Sequence, residues 1–291
     1  MQMDQHLADL LKLIQLERLE LNLFRGESRD IGAPQVFGGQ VLGQALFAAS
    51  ATVEGRTVHS LHAYFLRRGD FNAPIVYMVE RSRDGGSFSS RRVVGIQHGE
   101  QIFHMSASFQ AAEPGLDHQI AAPAVPPPEG LGDPVAFAEK YPTPIPERMR
   151  QLFESCMPFE FRFVETPEFA NMTKRAPIAH IWFRAVDNIG SDDEGLHRCL
   201  LAYISDYYLL GTSLLPHGIP LLKGNLQTAS IDHGMWFHRP VRVDEWLLYS
   251  MESPSASGAR GFTRGSIFTR DGKLVASTAQ EGLIRVLTPK A

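Results

Sequence analysis

The chain has few cysteines and no concentration of charge of one sign. Among its 291 residues only Cys156 and Cys199 are cysteines, and neither lies in a metal-ligand spacing. We therefore predict that both are reduced, buried side chains of a cytoplasmic protein. The formal net charge is −4, with acidic and basic residues interspersed. This pattern lacks the basic face of a nucleic-acid-binding protein, so no nucleic-acid partner is expected.

Long apolar runs are also missing. No stretch reaches the roughly 20 apolar residues that a membrane-spanning helix requires, and the leucine-rich N-terminus is too charged for a signal peptide. Its apolar residues Leu7, Leu10, Leu11 and Ile14 follow helical spacing, which predicts an amphipathic helix on the core. The C-terminal residues Leu287 to Ala291 carry no peroxisomal address, so the cytoplasm is the expected location.

The sequence motifs of several common enzyme classes are absent. The chain contains no Gly-x-Ser-x-Gly nucleophile elbow, no Gly-x-x-x-x-Gly-Lys phosphate loop and no dinucleotide fingerprint. Gly38 and Gly39, at the head of a predicted helix, could offer backbone N–H groups to an anion. Tight packing of the helix against a neighbour is an equally good interpretation of the same two glycines.

What the chain does contain is an internal repeat. HAYFLRR (His62–Arg68) is followed much later by HGMWFHR (His233–Arg239), and the sequences downstream stay in step. The repeat predicts one fold written twice. Each half reads as a strand, a central helix (Val36–Ser50 or His197–Leu210) and then four antiparallel strands. An antiparallel sheet around one long helix is the hot-dog architecture, so we predict an α+β double hot-dog.

Turn signals and proline content set the expected boundaries. We predict an N-terminal hot-dog domain over residues 1–115, a proline-rich linker over 116–157 and a C-terminal hot-dog domain over 158–291. Phe137 and Tyr141 are expected to hold the linker against the surface. The predicted strands are Leu19–Phe24, His59–Leu66, Ile75–Arg81, Phe88–Gln97, Gln101–Phe109, Glu160–Val164, Ile181–Phe183, Ser230–Phe237, Glu245–Glu252, Gly261–Thr269 and Leu274–Ile284.

The two copies differ in their polar residues. Ser230 aligns with His59, Gln280 aligns with Ser108, and Asp206 lies in the apolar second helix. Each has an ordinary interpretation when taken singly: a carboxylate on a polar helix edge, a turn serine and a solvated glutamine of an edge strand. Together they form a candidate catalytic set in the second copy.

The shared histidines point the other way. His62 and His233 occupy equivalent places when the copies are aligned on their repeated heptapeptides, which favours a structural role for both.

Four stretches of the chain resemble the acyl-CoA thioesterase II family of double hot-dog thioesterases. They are VFGGQVLGQAL, VHSLHAYFLRRGD, SIDHGMWFHRPVRVDEWLLYSMESPSASGARGF and LVASTAQEG. The resemblance implies acyl-CoA as the substrate and Asp206, Ser230 and Gln280 as a catalytic set that holds one water. It also implies no metal ion, no cofactor and no covalent intermediate, and a homodimer or homotetramer. In the family's best-known members a threonine stands where this chain has Ser230.

Two other functions remain open from the residues. One is a hot-dog enoyl-CoA hydratase, which would use an Asp–His pair to add water to a double bond. The other is a non-catalytic acyl-CoA-binding or scaffold protein. The Gln280 stretch favours the thioesterase over both.

Overall fold

The computed structural model of the protein describes residues 3–33, 35–133, 157–165, 173–219 and 225–287. Within these residues one antiparallel sheet of thirteen strands packs against two central helices. The helices are α1 (Gln5–Ile14), α2 (Gly38–Ser50) and α3 (Glu194–Ile204). The strands are β1 (Glu17–Glu20), β2 (Leu23–Gly26), β3 (Thr57–Phe65), β4 (Ile75–Asp84), β5 (Phe88–Gln97), β6 (Glu100–Gln110), β7 (Phe159–Phe163), β8 (Ile178–Ala185), β9 (Leu226–Ser230), β10 (Asp232–Phe237), β11 (Leu247–Ser257), β12 (Arg260–Thr269) and β13 (Leu274–Val286).

The two copies share one continuous sheet. Its strand order is β1-β2-β4-β5-β6-β3-β10-β13-β12-β11-β8-β7, with β9 beside β13. The copies meet where β3 pairs with β10, and these are the strands that carry the repeated heptapeptides. Each copy thus contributes one central helix and one half of the sheet, and the predicted double hot-dog is confirmed.

The two central helices pack directly against each other. A Cβ added at Gly39 of α2 would lie 2.1 Å from the carbonyl oxygen of Tyr203, and one added at Gly43 would lie 3.0 Å from that of Cys199. No side chain larger than hydrogen fits between the helices at Gly39. The close neighbour that these glycines admit is α3.

The N-terminal helix forms as its sequence predicts. Leu7, Leu10 and Ile14 are fully buried, and the Asp4 carboxylate accepts hydrogen bonds from the backbone N–H groups of the first turn. The next predicted strand, Leu19–Phe24, is instead a short hairpin of β1 and β2 with an exposed turn.

Two elements of the second copy have other bounds than predicted. The helix expected over His197–Leu210 stops at Ile204, and Tyr208 then adopts a left-handed backbone conformation with φ of 62°. Edge-on contacts of the Tyr208 ring with Phe161 and Phe163 stabilise this conformation, which non-glycine residues rarely adopt. The strand expected over Ser230–Phe237 is divided into β9 and β10.

Only part of the predicted linker is described. Residues 116–133 contain a single 3₁₀ turn, Pro128–Gly130, and the Trp182 indole N–H donates to the Pro126 carbonyl oxygen at 2.9 Å. The predictions for Phe137, Tyr141 and Cys156 concern residues outside the described ranges. Cys199 is a free, buried thiol, as predicted. Among the described helices none is long and apolar enough to cross a membrane.

Candidate active site

Asp206 lies in the turn that follows α3 rather than within the helix. Ser205 caps the helix, and the Asp206 carboxylate then reaches the N-terminus of α2 in the other copy. It accepts a hydrogen bond from the backbone N–H of Gly39, and a Cβ added at Gly38 would lie 2.6 Å from its Oδ2 atom. The residue before α2, Phe37, offers no side-chain cap. The carboxylate therefore occupies the positive end of the α2 dipole.

Ser230 is aimed at the site by a one-residue slip in strand register. Gly234 of β10 pairs with Ala279 of β13, whereas Ser230 of β9 pairs with Gly282 of the same strand. Strict alternation from β10 would turn the Ser230 side chain to the outer face of the sheet. The slip, like a β-bulge, reverses that alternation and brings the hydroxyl to the inner face.

The slip has its own stabilising contact. Asp232 lies at the break between β9 and β10, and its Oδ1 atom accepts the backbone N–H of Glu281 at 2.6 Å. The backbone N–H of Ile231 donates to the carbonyl oxygen of the same Glu281 at 2.9 Å. The break therefore leaves these backbone groups paired.

Gln280 lies in the interior of the sheet. Its strand, β13, has β10 and β9 on one side and β12 on the other, and the side chain is only 1% exposed. The interpretation of Gln280 as a solvated residue of an edge strand is therefore wrong. A buried carboxamide must find hydrogen-bond partners, and the next contacts supply them.

The structure brings Asp206, Ser230 and Gln280 together. Gln280 Nε2 donates to Ser230 Oγ at 2.7 Å, and the Ser230 hydroxyl faces Asp206 Oδ1 at 3.4 Å. Gln280 also donates to the Asp206 carboxylate. Gln280 is enclosed, while Asp206 and Ser230 keep part of their surface accessible. A small molecule can thus reach the Asp206 carboxylate and the Ser230 hydroxyl, but not the buried carboxamide of Gln280.

Burial raises the pKa of Asp206 above its ordinary value. The hydrogen bonds from Gln280, the Gly39 N–H and Ser230 oppose this rise without cancelling it. A carboxylate with a raised pKa is a stronger base than an exposed one, which suits it to accept a proton from water.

His233 is a further member of this polar cluster. Its ring is 1% exposed, with Nδ1 at 2.8 Å from Gln280 Oε1 and Nε2 at 3.0 Å from Ser205 Oγ. The Tyr249 hydroxyl donates to the Ser205 carbonyl oxygen at 3.0 Å and so supports the turn that carries Asp206. The sequence comparison had assigned His233 a structural role shared with His62.

The strand pairing shows why that comparison failed. Leu61 pairs with Met235 and Ala63 pairs with His233, and all four side chains are buried on the inner face. When the two copies are related by a twofold rotation that keeps inner-face residues on the inner face, Leu61 of β3 corresponds to His233 of β10. His62 instead points outward, where its ring lies edge-on to a tryptophan of β10. The expected equivalence of the two histidines is wrong by one residue, which reverses the face.

The same shift applies to Gln280. In the first copy Leu61 pairs with Ala107 of β6, so an apolar alanine occupies the place of the glutamine. Ser108, which the sequence alignment set against Gln280, alternates to the other face and hydrogen-bonds His59 Nε2 at 2.8 Å. Where the second copy has His233 and Gln280, the first copy therefore has two apolar side chains.

The site beside Asp206 lies at the N-terminus of α2, and the corresponding position near the N-terminus of α3 is filled by an arginine of α3 itself. Buried Arg198 donates to the Val58 carbonyl oxygen, pairs with Glu194 and lies 5.6 Å from the centre of the Phe237 ring. The twofold relation places Phe237 in the role of Phe65 of the first copy. Phe65 borders an open cavity, whereas Phe237 borders the side chain of Arg198. The two sides of the molecule are therefore chemically distinct.

A cavity of about 50 Å³ opens beside Ser230. Apolar side chains of α2 and of the first-copy strands line most of it, including Val41, Phe65, Ile102 and Phe103. Arg67 lies on the same wall and donates to the Gln101 carbonyl oxygen at 2.7 Å. The polar cluster comes from the second copy and the cavity from the first, so the site needs both. No cluster of metal-binding side chains occurs among the described residues.

Comparison with protein-family models gives two matches. Residues 152–283 match the family described as acyl-CoA thioesterase, and residues 25–110 match the family described as acyl-CoA thioesterase N-terminal domain. Together the two matches cover most of both copies.

Individual relatives agree with these matches. The chain is 43% identical over 284 residues to acyl-CoA thioesterase 2 of Haemophilus influenzae, covering 97% of this chain and 99% of the relative. It is 44% identical to a crystal structure of an acyl-CoA thioesterase II from Mycobacterium marinum, with a TM-score of 0.79 and coverage of 97% and 100%. A hot-dog protein from Alicyclobacillus acidocaldarius shares the fold at 18% identity, with a TM-score of 0.77 and coverage of 96% and 99%.

Proposed function

The chain belongs to the acyl-CoA thioesterase family, and we propose that it hydrolyses acyl-CoA thioesters with a water molecule held by Asp206, Ser230 and Gln280. Membership of this family supports thioester hydrolysis as the reaction. The convergence of a base, a hydroxyl and a carboxamide beside an apolar cavity is the observation that carries the assignment to these residues.

The chemistry of a thioester sets what the site must do. The leaving thiolate has a conjugate acid with a pKa of about 8.5, on the cysteine scale, so it departs with little help from an acid. The difficult step is the attack of water on the carbonyl carbon. A positioned carboxylate that removes a proton from the attacking water accelerates such a step by roughly 10²- to 10⁴-fold.

Asp206 has one acceptor position left for that water. A carboxylate offers about four lone-pair sites, and three are taken by the Gly39 N–H, Gln280 and Ser230. The attacking water takes the remaining site, since Asp206 keeps part of its surface accessible. A water bound there can also contact the Ser230 hydroxyl, and its oxygen is then directed toward the cavity. Holding nucleophile and carbonyl in one geometry removes much of the entropic cost of their encounter.

The first copy supplies the rest of the proposed site. Backbone N–H groups near the start of α2, other than the Gly39 N–H that Asp206 accepts, stabilise the oxyanion that forms on the carbonyl. The carbonyl end of the acyl chain lies in the cavity of about 50 Å³ between α2 and the ring pair Phe65 and Phe103, whose centroids are 5.3 Å apart. Ser230 lacks the methyl group that stiffens a threonine, but its two hydrogen bonds within the cluster hold the hydroxyl.

The predicted association remains part of the proposal. A homodimer or homotetramer of the double hot-dog is expected, and light scattering coupled to size-exclusion chromatography measures it. The cytoplasmic location and the domain boundaries at 115 and 158 also stay predictions.

Product analysis tests the proposed reaction. The purified chain is incubated with palmitoyl-CoA and, separately, with crotonyl-CoA, while free thiol is followed with a thiol-reactive dye. We expect stoichiometric release of coenzyme A and free fatty acid from palmitoyl-CoA. Loss of the crotonyl double bond without thiol release would indicate a hydratase. Tight binding without turnover of either compound would indicate a binding protein, and both outcomes contradict the proposal.

A further inference from the structure

Gln280 is held from behind by a buried side chain that the proposed reaction does not touch. His233 Nδ1 lies 2.8 Å from Gln280 Oε1, on the side away from Asp206 and Ser230. We propose that His233 is a positioning residue whose Nδ1–H fixes the Gln280 carboxamide with its NH₂ group toward Asp206 and Ser230. This inference rests on the proposed function, since it explains how one member of the proposed catalytic set is oriented.

The Gln280 carboxamide could face Asp206 with either its oxygen or its NH₂ group, and hydrogen bonding decides between the two. The two ends of a glutamine amide have nearly the same shape, but one only donates hydrogen bonds and the other only accepts them. An ionised Asp206 carboxylate only accepts. A flipped Gln280 would turn its oxygen toward that carboxylate and lose the bond to Asp206. The NH₂ group must therefore face the site, and Oε1 must face His233.

An Oε1 atom that faces His233 requires a hydrogen on Nδ1. Burial lowers the pKa of His233, so its ring is neutral and carries only one hydrogen. That hydrogen is on Nδ1 because the facing Gln280 Oε1, 2.8 Å away, can only accept. On the other side of the ring, the one hydrogen of the buried Ser205 hydroxyl has two acceptors in reach, the Ala202 carbonyl oxygen at 2.9 Å and His233 Nε2 at 3.0 Å.

The hydrogen bonds then run in a single direction through the cluster. His233 donates to Gln280, Gln280 donates to Ser230, and Ser230 faces the carboxylate at the end, while Ser205 lies behind the ring at 3.0 Å from Nε2. Every member except Asp206 and Ser230 is less than 2% exposed, so water cannot substitute for a lost partner from behind. Without the Nδ1–H, Oε1 loses its donor, and only the contacts with Asp206 and Ser230 favour one orientation of the carboxamide.

Variants of His233 separate donation from packing. His233→Leu fills much of the space without a donor, whereas His233→Asn places an amide N–H near the position of Nδ1. We expect His233→Leu to lower kcat by roughly 10- to 100-fold, a magnitude typical of lost partners that orient a catalytic group, with little change in KM. His233→Asn should recover most of that loss. His62→Leu, on the outer face of the neighbouring strand, is the matched control and should keep wild-type kcat.

A double-mutant cycle shows whether His233 acts through Gln280. Gln280→Ala alone should lower kcat strongly, and His233→Leu added to it should cost almost nothing more. If Gln280→Ala is fully active, the proposed catalytic set and this inference are both wrong. If Gln280→Ala is impaired but the two losses multiply, only the inference about His233 is wrong.

A measurement on the unmodified enzyme covers the case in which His233→Leu does not fold. Two-bond ¹⁵N–¹H correlation spectra of histidine-labelled protein report which ring nitrogen carries hydrogen, and His233→Asn identifies the His233 signal among the 11 histidines. We expect a neutral ring with hydrogen on Nδ1. A ring with hydrogen on Nε2 alone overturns the inference.

Discussion

Replacing Gly38 with alanine should displace the Asp206 carboxylate without removing any reacting group. The added Cβ would lie 2.6 Å from Asp206 Oδ2 and 3.2 Å from two ring carbons of Phe65. Ordinary contacts of a Cβ begin near 3.4 Å, so the carboxylate must retreat by about 0.8 Å if the backbone stays in place. A misplacement of about 1 Å can cost 10²-fold in rate. We therefore expect kcat to fall by about 10- to 100-fold.

The stability of this variant should change far less than its activity. The obstructing atom belongs to a partly accessible side chain that can move, and alanine has a higher helix propensity than glycine by up to about 1 kcal/mol. Thiol release from palmitoyl-CoA gives kcat and KM, and urea unfolding gives the free energy of unfolding. Gly115→Ala is the matched control, since a Cβ there meets nothing within 4 Å. A Gly38→Ala enzyme with wild-type kcat would refute the claim that the position of Asp206 controls the rate.

Further predictions address pH, packing and the first copy. Because burial raises the pKa of Asp206, the acid limb of kcat/KM should lie at higher pH than an ordinary aspartate would give, with activity lost as pH falls; a limb at the ordinary value contradicts this. The same raised pKa makes the folded state less stable as pH rises through it. Asp206→Asn should therefore raise the free energy of unfolding at neutral pH by the order of 1 kcal/mol. A lower free energy of unfolding in urea would contradict this. Gly39→Ala should lower that free energy by about 2 kcal/mol, because its Cβ would lie 2.1 Å from the Tyr203 carbonyl oxygen; unchanged unfolding would show that the helices can separate freely. Ser108→Ala should leave turnover nearly intact, whereas a large loss would place a second site in the first copy.

Periodicity and turn residues were sufficient to predict the fold. Leu7, Leu10 and Ile14 defined α1, and the turn signals, which include Asp84-Gly85, His98-Gly99 and Asp271-Gly272, separated the strands that follow one another in the chain. What failed were boundaries set by tertiary contacts. No glycine or proline lies between Ile204 and Gly211 to end α3 where it ends. The left-handed Tyr208 packs against aromatic rings of β7, far away in sequence.

The candidate site was only partly predictable. Asp206, Ser230 and Gln280 were selected from polar differences between the copies and from the family resemblance. The structure brings them together through a feature that the sequence does not display, the register slip between β9 and β10. His233 was missed because the copies were aligned on their histidines. An alignment on Phe65 with Phe237 would have set His233 against Leu61, and a polar residue against an apolar one would have drawn attention to it.

The central claim is that Asp206 activates the attacking water, and Asp206→Asn tests it most directly. The amide keeps the shape of the side chain but cannot accept a proton from water. Steady-state thiol release from palmitoyl-CoA, measured on protein shown to be folded by circular dichroism, gives kcat and KM. We expect kcat of this variant to fall by about 10²-fold or more with KM nearly unchanged. A kcat within a few-fold of wild type would contradict it.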